Sequence, residues 1–132
     1  MKFFTIAELC KSTTADRLGI NNRCRQEHVT ALTALVDNVL DPLRTWWGKP
    51  ITVNSGYRCP ELNKAVKGSK TSQHMSGEAA DIDTGDRQQN KLLFEYIRKN
   101  LPYDQLIDES NFAWVHVSFR ADGKNRKQVL SL

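Results

Sequence analysis

The sequence predicts an α+β fold in which N-terminal helices pack on a small, mainly antiparallel sheet. Three observations carry this. Apolar residues between Glu27 and Trp47 recur at spacings of three and four, the period of a helix with one buried face. Ile51 to Asn54 and Ala79 to Asp83 are short runs bounded by glycine, proline and polar residues, as strands are. The last third holds three more such runs separated by turn residues. Helices first and paired strands last is the order of an α+β domain.

Taken in order, Phe3 to Asn22 reads as short helical turns and loops. Thr5 suits the cap of a turn through Ala7, Glu8 and Leu9, and Ser12 to Asp16 is a second capping-rich stretch. The stripe of Val29, Leu32, Val36, Val39, Leu40, Leu43, Trp46 and Trp47 follows and reads as core. His28, at the start of this helix beside Glu27, reads as a solvated side chain. Pro42 is expected to kink or split the helix, because it has no N–H and crowds the carbonyl four residues back. Gly48, Lys49 and Pro50 end it. Ile51 to Asn54 is a β-branched strand, and Ser55 to Pro60 is the turn leaving it. Glu61 to Val66 is a short helix closed by Gly68, Ser69 to Gln73 is a loop, and Ala79 to Asp83 is a second strand.

Arg87 to Leu101 is an amphipathic helix capped by Asp86 and stopped by Pro102, with Leu92, Leu93, Tyr96 and Ile97 inward. Strands Gln105 to Asp108, Trp114 to Phe119 and Gln128 to Leu132 complete the chain. The gap from Glu109 to Ala113 and the Asp122-Gly123 turn predict that these three run antiparallel. The 132 residues suit one domain, with a helical part over 1–48 and an α+β part over 49–132.

Apolar residues make up 39% and charged residues 26%, a globular rather than a disordered composition. The net charge of +4 is spread over Lys49, Arg58, Lys64, Lys67, Lys70 and the late Lys124, Arg126 and Lys127. Such a surface is well solvated and favours approach to an anionic polymer such as nucleic acid or bacterial cell wall. No basic run is interleaved with aromatics, so nucleic acid is not expected as a partner. Cys10, Cys24 and Cys59 form an odd set with no CxxC pair, and are expected as reduced thiols. The N-terminus lacks the long apolar stretch of a secretory signal, and no segment approaches a membrane span. The expectation is a protein that is cytoplasmic as made and makes no membrane contact.

The chemistry concentrates between Thr71 and Asp83. His74 lies seven residues before Asp81, with Gly77 between them to permit a tight reversal. His116 follows far downstream, a polar residue among apolar neighbours on a strand, where it needs a partner. Two imidazoles and one carboxylate are a three-ligand set for zinc that keeps a fourth position for water, the arrangement of a catalytic site. Asp81 and Asp83 share a strand face, and spacing alone does not choose between them as the third ligand.

The segment Ser72-x-His74-x-x-Gly77-x-Ala79-x-Asp81 resembles the signature of the M15 metallopeptidases, the zinc D-Ala-D-Ala carboxypeptidase and L-Ala-D-Glu endopeptidase group. Asp104-Gln105-Leu106-Ile107-x-Glu109 and Trp114-Val115-His116-Val117-Ser118 are similar to the small phage and prophage branch of that family. Ser55-Gly56-Tyr57-Arg58, followed by Leu62-Asn63, resembles its substrate-side loop. The resemblance runs from about Pro50 to Arg120. It implies a hedgehog/DD-peptidase-like fold and a Zn2+ ion held by His74, Asp81 and His116, with Asp83 as a supporting carboxylate.

A zinc peptidase also needs a carboxylate to move the water proton to the leaving amine. Many family members place it three residues before the last histidine, which here is Ala113. The resemblance moves that role to Glu109, with Asp108 and Asp104 as rivals. On an ideal strand Gln105, Ile107 and Glu109 share one face and Asp104, Leu106 and Asp108 the other, and the sequence does not say which meets the metal. Arg58 is expected to grip a substrate carboxylate or carbonyl, with Ser72 assisting and Gln73 less involved. Trp114 reads as packing beside the site or as an aromatic wall.

The function so implied is zinc-dependent hydrolysis of peptidoglycan stem peptides by a monomeric phage or prophage lysis enzyme, an endolysin, reaching the wall after release. A non-catalytic zinc-containing wall-binding module of the same fold is the second reading, supported by Ala113. A structural or nucleic-acid-associated protein is the third.

Overall fold

The computed structural model describes residues 1–132. Helices α1 (Ile6–Cys10) and α2 (Thr13–Leu18) open the chain. The Thr5 hydroxyl accepts from Glu8 N–H while the Glu8 carboxylate accepts from Thr5 N–H, a reciprocal cap. The Ser12 hydroxyl caps α2 in one direction only, accepting from Ala15 N–H.

The long apolar stripe forms α3 (Gln26–Leu35), a widened π turn (Val36–Leu40) and α4 (Asp41–Trp47) in one continuous rod. The expected break at Pro42 is absorbed by that π turn: Asp41 N–H reaches back five residues to the Val36 carbonyl. The wider turn accommodates a ring that would crowd the Asn38 carbonyl in a regular helix. Leu32, Leu35, Val36, Val39, Leu40 and Leu43 are fully buried, each worth about 1.5–3 kcal/mol relative to exposure. His28 is not simply solvated. Its Nδ1 accepts from Arg25 N–H, and its ring stacks on Tyr57.

The sheet runs in the order β1-β2-β4-β3-β5, from β1 (Thr52–Ser55), β2 (Ala79–Asp83), β3 (Gln105–Glu109), β4 (Trp114–Ser118) and β5 (Gln128–Ser131). Helix α5 (Pro60–Ala65) and the short turn Gln73–Ser76 lie between β1 and β2, and α6 (Arg87–Asn100) lies between β2 and β3. On α6 Asn90, Leu93, Phe94 and Ile97 are buried, and Leu92, expected inward, is exposed. Four of the strands pair antiparallel. The last does not: β5 pairs parallel with β3, correcting the expected all-antiparallel trio. Both flanks of β4 are already taken by β2 and β3, so the chain must cross to the free edge of β3.

Strand alternation then separates two faces. Ala80, Ile82, Leu106, Val115 and Val117 point into the core beneath the helices. Asp81, His116, Ile107 and Glu109 occupy the opposite face, under the loops that carry Arg58 and His74.

The reading of three reduced thiols is overturned: Cys10 and Cys24 form a disulfide, and Cys59 is the free thiol. Asn22 ties the same loops together, donating to the Cys10 and Tyr57 carbonyls and accepting from Cys59 N–H. A crosslink closed around a folded α2 leaves no short-range cysteine spacing to read. No helix is long and apolar enough to cross a membrane.

Candidate metal centre and cleft

His74 sits in the single helical turn Gln73–Ser76, whose first N–H groups are met by the Ser72 hydroxyl at 3.2 Å from His74 N. Gly77 closes the turn at φ 77°, a conformation open to glycine without steric cost. A Cβ there would also stand 2.8 Å from the His28 carbonyl oxygen. His74 is 1% exposed. Its Nδ1 donates to the Gly56 carbonyl at 2.6 Å, which leaves Nε2 as a bare lone pair. That atom is buried, has no hydrogen-bond partner, and lies 3.3 Å from Asp81 Oδ1.

Asp81 and His116 are register partners on β2 and β4, and His116 Nδ1 stands 3.0 Å from the same Asp81 oxygen. One ligand atom from each of the three residues lies within 4.8 Å of the others. A lone pair aimed at a carboxylate oxygen is repulsive unless a cation lies between them. Ligands about 2.0–2.1 Å from a tetrahedral zinc stand about 3.4 Å apart, close to the 3.0 and 3.3 Å found here. The residues therefore fit the ion, with the Gly56 carbonyl setting the tautomer of one ligand. Burial alone would push the Asp81 carboxyl up, but the hydrogen bond from His116 and the nearby His74 ring outweigh it and hold it well below the usual carboxylate range.

Of the three candidate bases, the sheet register brings Glu109 to this face. Ile107 pairs with His116 and Glu109 with Trp114, so both stand on the metal side. Glu109 lines a cleft of about 630 Å3 with His74, Asp81, His116, Arg58 and Ser72. Burial first, then the charge of Asp81, push its carboxyl up against an opposing effect from the two histidines. Asp108 points to the other face and accepts from Ser131 Oγ at 2.6 Å. Asp104 is fully buried and held by Arg126 Nε and Nη2 at 3.0 and 2.8 Å, and by Gln73 Nε2 at 2.8 Å. The Arg126 guanidinium lowers its pKa to about 2, against the opposing effect of burial. Neither rival is free to move protons at the metal.

Arg58 Nη2 donates to Ser72 Oγ at 3.2 Å, and Arg58 N–H donates to the His74 carbonyl. Arg58 Nε is buried with no partner. Desolvation lowers this guanidinium's pKa against the pull of Asp81, and its buried Nε is a donor to spare in the cleft. Trp114 lines the same cleft with its own Nε1 unpartnered. Asp83 stands outside the ligand cluster and accepts from Gly85 N–H and Asn90 Nδ2.

Sequence reasoning missed Asn90. It is 1% exposed, donates to Asp83 and to the Phe112 and Ala113 carbonyls, and accepts from Thr84 N–H. It thus joins the end of β2 to the turn between β3 and β4. Ser110, Asn111 and Phe112 in that turn all have left-handed φ angles, 50°, 56° and 61°, and Arg87 donates to the Ser110 and Asn111 carbonyls. The available signal was an amide standing in helical register with Leu93 and Ile97.

The helical layer on an open five-stranded sheet carries, on the sheet's outer face, a His-Asp-His cluster that fits a metal ion, with one free carboxylate beside it. The Peptidase M15 family model matches residues 2–118, and the chain belongs to that family. It is also similar to the zinc D-Ala-D-Ala carboxypeptidase of Streptomyces albus G, 38% identical over 76 residues, or 50% of this chain. The match covers 30% of that protein's length.

Proposed function

We propose that the protein is a zinc-dependent peptidase acting on the stem peptides of bacterial peptidoglycan. The observation that carries this is the buried, unpartnered His74 Nε2 facing Asp81 and His116 in one cleft with Glu109. The similarity to a relative named for D-Ala-D-Ala cleavage supports the substrate class.

His74, Asp81 and His116 would hold the ion. Bound there, zinc supplies Lewis acidity toward a water and toward the scissile carbonyl. Glu109 takes a proton from the attacking water as its oxygen bonds the carbonyl carbon. It then returns that proton to the amine nitrogen as the C–N bond breaks, leaving a carboxylic acid, which keeps the second water proton, and an amine. A carboxyl raised by burial suits both halves of that exchange. Arg58, steadied by Ser72, offers its free Nε to a substrate carbonyl or carboxylate.

A phage or prophage lysis role, with release into the wall compartment, extends this reading. The Cys10–Cys24 disulfide supports a working place outside a reducing cytosol. The protein is taken to act as a monomer, since one chain supplies every residue of the cleft. Ala113, where many relatives carry the acid, favours the second reading of a non-catalytic zinc-containing wall-binding module.

Mass spectrometry of muropeptides released from purified sacculi decides between them. The wild type is expected to release new amino termini and Glu109→Gln to release almost none while keeping its zinc. Binding to sacculi without any release sinks the peptidase reading.

A further inference from the structure

Four residues from four strands form one line across the outer face of the sheet. Asp81 pairs with His116, His116 with Ile107, and Ile107 with Leu130. Neighbouring strands lie about 4.8 Å apart, so the floor running outward from the metal ligands turns apolar at Ile107 and stays apolar at Leu130. A second line runs beside it. Trp114 pairs with Glu109, and the parallel register carried one step further sets Leu132 next to Glu109, with Leu132 N–H on the Asp108 carbonyl and Ser110 N–H on the Leu132 carbonyl. Ile107, Leu130, Leu132 and Trp114 all line the metal cleft.

Two features give this wall a role beyond packing. Leu130 is only half-buried and Leu132 is 71% exposed, so the strand offers apolar surface that the fold itself leaves uncovered. The segment is nevertheless firmly placed: Arg126 grips buried Asp104 with two N–H groups, and Gln128 N–H donates to the Asp104 carbonyl. Arg126, which also lines the cleft, has its guanidinium paired with Asp104. β5 lies beyond residues 2–118, the part matched by the family.

We propose that β5 is a specificity element, its Leu130 and Leu132 forming with Ile107 an apolar pocket for an aliphatic side chain on the residue that supplies the leaving amine. The side of the cleft follows from proton transfer: Glu109 must reach the leaving nitrogen, so the departing residue lies over the Glu109 row, where β5 stands. This rests on the peptidase reading above. A hydrophobic pocket distinguishes substrates by about 10–200-fold per methylene-sized change.

The test uses zinc-loaded protein and acyl dipeptides that differ only in the last residue: glycine, alanine or valine. The wild type is expected to show kcat/KM at least about tenfold higher for alanine or valine than for glycine. Leu130→Asn is expected to lower kcat/KM for alanine and valine at least about tenfold more than for glycine, with unchanged zinc content and melting temperature. Leu132→Asn, at an exposed position, is expected to do the same more weakly. Calorimetric binding of the three peptides to Glu109→Gln should follow the same order without turnover. A wild type with no preference, or a Leu130→Asn that slows all three substrates equally, overturns the specificity role. A wild type that binds the peptides in the stated order but hydrolyses none keeps the pocket and overturns the peptidase reading instead.

Discussion

His74 donates its Nδ1 proton to the Gly56 carbonyl across 2.6 Å, and this one bond leaves the other nitrogen of the ring with a lone pair for the proposed metal. Gly56 holds that carbonyl in place because its own α-carbon lies against α1. A Cβ at this position would stand 2.1 Å from the Leu9 carbonyl oxygen. Gly56→Ala is therefore expected to shift the loop, to destabilise the fold by about 1–3 kcal/mol, and to weaken zinc binding by about 10–100-fold. Thermal melts with and without zinc, and competition with a chromophoric chelator, measure both. Unchanged metal affinity would show that this bond does not orient the ring.

Metal removal should destabilise the folded chain, because an ion held by His74, Asp81 and His116 would tie the 73–76 turn to β2 and β4. Chelation is expected to lower the melting temperature of the wild type and to leave His116→Ala, already without its metal, unaffected. Differential scanning calorimetry reads this directly. Equal melting of the wild type with and without chelator would contradict it.

Replacing Glu109 by Gln keeps the shape of the cleft and removes the proposed proton acceptor. Turnover is expected to fall by about 10²–10⁴, with zinc content by elemental analysis unchanged. The corresponding Asp108→Asn, on the far face of β3, should leave turnover within about threefold of the wild type.

The Asp104–Arg126 pair predicts how stability responds to acid. The Asp104 pKa falls to about 2 in the folded protein from 3.8. A depressed carboxyl contributes stability that is complete above its unfolded pKa and lost as pH falls through the folded one. Denaturant unfolding should therefore show a loss between about pH 4 and pH 2, and Arg126→Ala should flatten that slope while lowering stability at neutral pH. A variant with the wild-type slope would assign the acid sensitivity to other carboxylates.

Asn90→Ala would strand the Thr84 N–H and the Phe112 and Ala113 carbonyls beside three left-handed residues. Each unsatisfied buried group costs about 1–3 kcal/mol. A stability loss of at least about 2 kcal/mol is expected, with faster amide exchange in residues 110–113. Exchange faster elsewhere but not there would place the role of Asn90 in the helix alone.

Elements with a strong local period are legible in the order of the residues. The bounds of β2, the Asp86 cap of α6 and most of the buried stripe of α3 and α4 follow from side-chain spacing and capping chemistry, whereas Trp46, read as core, is exposed and stacks on Tyr96. So does the sharing of one face by Gln105, Ile107 and Glu109. Leu92 departs from its expected side because an apolar residue at the edge of a helical stripe can turn either way. Pro42 does not break its helix because a π turn absorbs the missing bond.

The sequence by itself determined the residue types of a zinc site, the approximate elements that carry them, and the family resemblance. Only the tertiary structure decided that Glu109 rather than Asp108 or Asp104 shares the cleft with His74, Asp81 and His116, that β5 runs parallel on the β3 edge, and that Cys10 meets Cys24. The reason is physical. Periodicity is a local property of the backbone and says which side chains share a face. Which face meets which, and which distant segments touch, depends on strand order and loop closure, which no short window of residues contains.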